Sequence, residues 1–133
     1  MAEHLVAERV RPALVLCSAA LRTRQTLATV LPALGEELEV RIELELYTFD
    51  PDALFDRLRS ISDDVPSALV VGHNPATEEL ASTLAARGAR LAAMRTKYPT
   101  AALATLDARV DSWKDLASSC AELVAFVSPR DLD

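Results

Sequence analysis

Two side chains that suit the binding of a phosphoryl group follow apolar segments of this sequence. Arg22 comes shortly after the apolar run "PALVLCS", and His73 comes directly after the run "SALVVG". A guanidinium binds two oxygens at once and keeps its charge, and an imidazole holds an oxyanion or moves a proton. Each residue alone also fits a bland role, Arg22 as a solvated helix residue and His73 as a structural one. Together they indicate an anion site, most naturally a phosphoryl site.

Polar neighbours extend the candidate site. Ser18 closes the first apolar run and Asn74 follows His73. If both runs are strands that lead into helices, the carboxyl ends of the strands converge on one pocket, and a helix N-terminus adds backbone N–H groups. Ser18 lacks the sequence context of a nucleophile elbow. The sequence has no glycine-rich phosphate loop and no cluster of His, Cys, Asp or Glu with metal-ligand spacing.

The elements that must position these residues alternate along the chain. Apolar runs and one alternating segment predict strands, and segments with apolar residues at helical spacing predict helices. The expected strands are 12–18, 39–47, 67–72, 100–108 and 120–127, and the expected helices are 2–10, 19–35, 50–61 and 75–88. Strand and helix in alternation predict a layered α/β fold with a largely parallel sheet.

Composition limits the function classes. With 133 residues, half of them apolar, the chain is expected to form a single domain over 1–133. A formal charge of −6 argues against a nucleic-acid partner. No apolar run approaches the roughly 18 residues of a membrane span. We therefore expect a cytoplasmic protein with no membrane association. Cys17 and Cys120 are expected to be reduced core residues, and nothing supports a disulfide.

The residues around the candidate site resemble a known family. "VLCSAALRTRQTL" resembles the Ser-x-x-x-Arg-x-x-Gln-Thr block of the histidine phosphatase superfamily, and "LVVGHNPATEELA" resembles its second histidine block. The segments "ELYTFDPDALFDRLRSI", "KYPTAALATLDARVDSWKDL" and "FVSPRDL" resemble small bacterial phosphohistidine phosphatases of the SixA type. The resemblance runs from about residue 5 and implies the phosphoglycerate mutase-like fold, a three-layer α/β/α arrangement around a mixed, mostly parallel sheet.

The resemblance also implies a mechanism. In this family the histidine of an N-terminal Arg-His-Gly motif attacks phosphorus and becomes a phosphohistidine, with no metal or organic cofactor. Arg22 and His73 match the residues that clamp the phosphoryl oxygens, and Ser18 and Asn74 stand beside them as further phosphate-binding candidates. The implied partner is a phosphorylated substrate, either a phosphohistidine protein or a small phosphoester.

The sequence departs from the family pattern at the nucleophile. It contains no Arg-His-Gly, and its other histidine, His4, matches no catalytic position. The first, central strand of the family fold is therefore expected to be missing, and we nominate no nucleophile. Three alternatives stay open: an N-terminally truncated phosphatase, inactive as given; a non-catalytic binder of a phosphorylated ligand; and an interaction module. Either the strands "SALVVG" and "TAALATL", which would flank the missing strand, pair directly with each other, or a second copy of the chain fills the gap, and of the two we favour the homodimer.

Overall fold

The computed structural model describes residues 1–132, which form an α/β fold of six strands and five α-helices. The strands are β1 (Leu14–Ser18), β2 (Glu39–Glu43), β3 (Ala68–Val71), β4 (Ala85–Arg87), β5 (Leu103–Ala108) and β6 (Ala121–Val127). The α-helices are α1 (Ala2–Ala7), α2 (Leu21–Val30), α3 (Pro51–Arg59), α4 (Ala76–Leu84) and α5 (Leu91–Thr96). Short 3₁₀ turns occur at Leu31–Leu34, Leu44–Leu46, Trp113–Asp115 and Pro129–Leu132.

The first of two compact units consists of residues 1–49 and 62–73. Its sheet is entirely parallel, in the strand order β2-β1-β3. Every residue of β1 is buried, which explains why this strand is a continuous apolar run rather than an alternating one. At the carboxyl edge of the sheet, Ser18 pairs with Glu43 of β2, and Cys17 pairs with Val71 of β3.

The entry into α2 is fixed by local hydrogen bonds. The Ser18 hydroxyl accepts from the Ala20 N–H at 3.3 Å, and the buried Thr23 hydroxyl donates to the carbonyl oxygens of Ser18 and Ala20 at 2.8 and 2.9 Å. Thr23, Leu27 and Val30 form the buried stripe of the helix. Arg22 is consequently left on the exposed side of the first turn.

The second unit consists of residues 50–61 and the segment from Asn74 onward. Its sheet has the order β4-β6-β5, with β5 and β6 antiparallel and β4 and β6 parallel. A core of buried residues lies between this sheet and its helices: Ala81, Ala85, Met94, Leu123 and Phe126. Helix α3 begins as the sequence predicts, because Pro51 occupies its first position and the Asp50 carboxylate accepts from the Asp52 N–H at 2.9 Å.

Three predicted elements end at least four residues earlier in the structure than the sequence predicts. The strand expected over 39–47 ends at Glu43, and a 3₁₀ turn follows. The helix expected over 75–88 ends at Leu84, and residues 85–87 pair with β6 as the unpredicted strand β4. The helix expected over 19–35 ends at Val30, and the turn containing Pro32 then closes at Gly35, whose φ is +94°.

Four strands lie at the edges of the two sheets, β2 and β3 in the first unit and β4 and β5 in the second. β3 pairs with β1 on one side only, and β5 pairs with β6 on one side only, within residues 1–132. No helix in the described part of the chain has the length and apolar character to cross a membrane.

Candidate functional site

Ser18 and His73 meet at the carboxyl edge of the first unit's sheet. β1 and β3 are parallel neighbours, so the residues that follow them emerge at the same edge. The Oγ atom of Ser18 lies 2.8 Å from Nε2 of His73, which is a hydrogen bond between side chains 55 positions apart in sequence. The ring of His73 is therefore held at a defined place by the end of the neighbouring strand.

Ser18 is buried, and this position lets it support His73 but not contact a substrate. Its side chain has no exposed surface, and its Oγ also accepts from the Ala20 N–H. The bond to Nε2 forms in either ring tautomer, with the hydrogen carried by Ser18 or by His73. A serine hydroxyl beside an imidazole has the composition of an activated nucleophile. A substrate phosphorus cannot reach a fully buried Oγ, however, so this pair orients the imidazole.

Two aromatic side chains complete the surroundings of His73. The Tyr47 ring stacks on the imidazole, with centroids 4.9 Å apart and planes 23° apart, and the Phe49 ring approaches edge-on at 6.0 Å. Both side chains are otherwise well exposed, 55% for Tyr47 and 61% for Phe49. Neither residue was among the site residues predicted from the sequence. The available signal was that two of the six aromatic residues of the chain, Tyr47 and Phe49, lie within six residues of the end of β2.

Arg22 lies in the first turn of α2, four positions after Ser18. Its side chain is exposed, and its guanidinium forms no hydrogen bond or ion pair with residues 1–132. A guanidinium without a carboxylate partner can bind an external anion without first breaking an ion pair. The helix that carries it begins beside the Ser18–His73 pair, where backbone N–H groups add a favourable field for anions.

Asn74 is exposed, and its side-chain amide donates to the Tyr98 carbonyl oxygen at 3.2 Å within the second unit. The structure thus gives Asn74 a structural contact, and its role toward phosphate stays a prediction.

The other candidate residues of the sequence are His4 and the two cysteines. His4 lies on α1. Among residues 1–132, no group of three or more His, Cys, Asp or Glu side chains is arranged to hold a metal ion. Cys17 and Cys120 are both free thiols; Cys17 is buried as the sequence predicts, whereas Cys120 is partly exposed and the prediction that it is a core residue is wrong. Burial raises the pKa of the Cys17 thiol, so Cys17 is an unreactive core residue rather than a nucleophile.

Sequence comparison finds relatives that the chain covers over most of their length, while no protein-family profile matches it. Uncharacterized protein ML1117 of Mycobacterium leprae is 40% identical over 119 residues, which are 87% of this chain and 71% of that protein. Uncharacterized protein Rv1276c of Mycobacterium tuberculosis is 38% identical over 120 residues, which are 87% of this chain and 73% of that protein.

Three solved structures of SixA proteins have a fold similar to that of this chain. A proposed phosphohistidine phosphatase SixA from Nakamurella multipartitia superposes with a TM-score of 0.73 at 28% identity, covering 96% of this chain and 77% of that one. A second, from Agrobacterium tumefaciens, gives 0.76 at 26%, covering 96% and 75%. A protein histidine phosphatase SixA complexed with tungstate shares the fold with a TM-score of 0.75 at 23%, covering 99% and 78%.

The fold and these likenesses define an α/β protein of the phosphoglycerate mutase-like class. The chain belongs to the histidine phosphatase superfamily, and its solved neighbours within that superfamily are SixA-type phosphohistidine phosphatases.

Proposed function

We propose that this chain is a SixA-type phosphoryl-binding domain, in which Arg22 and His73 hold the phosphoryl oxygens of a phosphohistidine protein. The observation that carries the proposal is the 2.8 Å bond between Ser18 and His73 at the edge where α2 presents Arg22. The names of the solved neighbours support phosphohistidine as the substrate class.

Arg22 and His73 would act on the phosphoryl oxygens in different ways. Arg22 supplies a permanent charge and a planar fork of donors. His73 supplies an imidazole at a fixed place, since Ser18 and Tyr47 both restrain the ring. Such preorganised groups stabilise charge that develops on phosphoryl oxygens during transfer, because they need no rearrangement at that moment.

The nucleophile is not supplied by these 133 residues, which contain no Arg-His-Gly. Residues of a covalent mechanism act as a unit, so a clamp without its attacking histidine retains little catalysis. We therefore propose phosphoryl binding, without turnover, for this chain taken alone. The competing assignment is an interaction module that keeps only the fold. The exposed position of the Arg22 side chain is consistent with this assignment, which differs from the proposal in that the chain would bind no oxyanion.

Tungstate titration of the purified chain tests the proposal, since tungstate mimics a phosphoryl group and was bound by a structural neighbour. Calorimetry should show one site, and Arg22→Ala and His73→Ala should each weaken binding by about tenfold or more. Arg24→Ala is the matched control, because Arg24 is an exposed arginine of the same helix. No tungstate binding by the wild-type chain, or an equal loss with Arg24→Ala, would favour the interaction module.

A further inference from the structure

The second unit carries a groove of about 480 Å³ whose rim is cationic. Three of its lining side chains are Arg90, Lys97 and Arg130, while the whole chain has a formal charge of −6. Three cations around one groove are therefore a local reversal of the protein's overall charge. The groove consists of residues of the second unit alone and shares none with the Ser18–His73 site.

The floor of the groove is apolar. Phe126, Pro99 and Pro129 contribute to its lining, and Phe126 itself belongs to the buried core of the unit. The Arg90 guanidinium lies 5.7 Å from the centroid of the Phe126 ring, in a cation–π arrangement. An apolar floor beneath a charged rim accommodates a chain with both aliphatic and anionic groups, rather than a bare ion.

The Asp131 carboxylate orients the Arg90 side chain at the edge of the groove. Asp131 Oδ2 accepts from the Ser128 N–H at 2.8 Å and from the Ser128 hydroxyl at 3.1 Å, and it lies 3.6 Å from Arg90 Nη2. The hydrogen bond from the Ser128 N–H holds the pKa of Asp131 below its usual value, so the carboxylate stays ionised. Arg90 is thereby oriented, while Lys97 and Arg130 form no ion pair with residues 1–132.

We propose that this groove binds an acidic polypeptide segment of a partner protein, with Lys97 and Arg130 pairing to its carboxylates and the apolar floor receiving its aliphatic carbons. Charge complementarity selects this occupant, since two exposed cations without internal partners gain most from carboxylates. Nucleic acid, with its regular phosphate charge, is disfavoured by the acidic remainder of the chain. The proposal goes beyond phosphoryl binding and rests on different residues.

Fluorescence anisotropy with a labelled ten-residue peptide that alternates glutamate and leucine tests it. We expect saturable binding that weakens as salt rises from 50 to about 300 mM. Lys97→Glu/Arg130→Glu should weaken binding by about fivefold or more, since each exposed pair contributes up to about a factor of five and the two new carboxylates would also repel the acidic peptide. Arg24→Glu/Lys114→Glu is the control of equal charge change, made at exposed positions outside the groove.

Several outcomes would overturn the proposal: no binding, equal loss in the control variant, equal binding of a lysine–leucine peptide, or tighter binding of a single-stranded oligonucleotide. Circular dichroism verifies that both double variants are folded. Amide shifts in a ¹H–¹⁵N spectrum should cluster at 90–100 and 126–131, and shifts clustered elsewhere would equally contradict it. Tungstate binding should be unchanged in Lys97→Glu/Arg130→Glu, so failure here and failure of phosphoryl binding are distinguishable.

Discussion

The phenol ring of Tyr47 stacks on the imidazole of His73, with centroids 4.9 Å apart and planes 23° apart. Tyr47 lies just after the 3₁₀ turn Leu44–Leu46, so the conformation of this turn decides where its ring reaches. Two contacts consequently restrain the site histidine, a hydrogen bond with Ser18 and the stacked ring of Tyr47. Tyr47 is thus a positioning residue for His73.

Tyr47→Ala should loosen His73 and weaken tungstate binding by about two- to tenfold, because an aromatic pair contributes about 0.5–1.5 kcal/mol. Tyr47→Phe keeps the ring and should bind as the wild type does. The ring protons of His73 provide a second measurement, since loss of the stacked neighbour removes its ring-current shift. Unchanged His73 resonances in Tyr47→Ala would show that the stack does not exist in solution.

The purified chain of 133 residues should not turn over a generic phosphoester such as p-nitrophenyl phosphate. The physical reason is the absence of Arg-His-Gly, and with it of the covalent step. Release of p-nitrophenol should match a buffer blank. Steady release that His73→Ala abolishes and metal chelators leave intact would contradict this, and His4 from a second copy would be the first replacement nucleophile to test.

Gly88 should be intolerant of a side chain. Its φ is +151°, and a Cβ there would lie 2.4 Å from the Leu123 carbonyl oxygen and 2.8 Å from the Leu123 Cβ. Overpacking against backbone and a backbone conformation that favours glycine together predict a loss of about 2–4 kcal/mol for Gly88→Ala.

Urea unfolding measures this change, and Gly35→Ala is the comparison. At Gly35 the nearest atom to a new Cβ is Arg11 Nη1 at 3.1 Å, the end of a flexible side chain. Only the strained φ of +94° should then matter there, with a loss of about 1 kcal/mol. Equal losses at the two glycines would refute the close approach of β6 to Gly88.

Tyr98 should make the fold sensitive to alkali. Burial raises the pKa of its phenol to about 12, and its ring packs 5.4 Å from that of Phe126. In the unfolded chain tyrosine ionises near 10, so between about pH 10 and 12 the unfolded state loses a proton that the folded state keeps. Stability must therefore fall as pH rises through this window, by an amount on the order of 2 kcal/mol.

Unfolding free energies of the wild type and Tyr98→Phe should diverge above about pH 10, with the variant less affected. Tyr47→Phe is the control, because Tyr47 is an exposed tyrosine. Parallel pH profiles for wild type and Tyr98→Phe would show that Tyr98 is accessible to water.

A homodimer stays a prediction of the sequence, and the edges of the two sheets give it a physical reason. β3 and β5 each pair on one side only within residues 1–132, and an open strand edge is a template for pairing with another chain. Light scattering at about 10 and 200 μM should give twice the monomer mass at the higher concentration. A monomer at both concentrations would reject this expectation.

Elements fixed by a strong local pattern could be predicted from the sequence. β1 is a continuous apolar run because both of its faces are buried, and α3 has a capping aspartate followed by proline. The alternation Val40, Ile42, Leu44 predicted a longer, half-buried strand. In the structure Val40 and Ile42 are 37% and 52% exposed, because β2 is an edge strand that its neighbours do not cover.

Long-range pairing was not predictable in the same way. Residues 85–87 continue a helical pattern, yet they form β4 because β6 offers backbone partners that no local propensity reveals. At the site, the parallel-sheet rule brings the ends of β1 and β3 together, and with them Ser18 and His73. The stacking of Tyr47 depends on the turn after β2, which the apolar alternation concealed.

Because Cys17 is buried within β1, the reaction of its thiol with a reagent measures how often this strand becomes exposed. A thiol reagent can reach Cys17, which has no exposed surface, only when the first sheet transiently separates. Cys120, immediately before β6, is partly exposed and is expected to react without such an event. The rate of the slow labelling phase of the native chain therefore measures how often the first unit's sheet opens, at whose edge His73 lies. A ligand that closes over this edge would lengthen that phase, because only the unliganded fraction of the chain would then open.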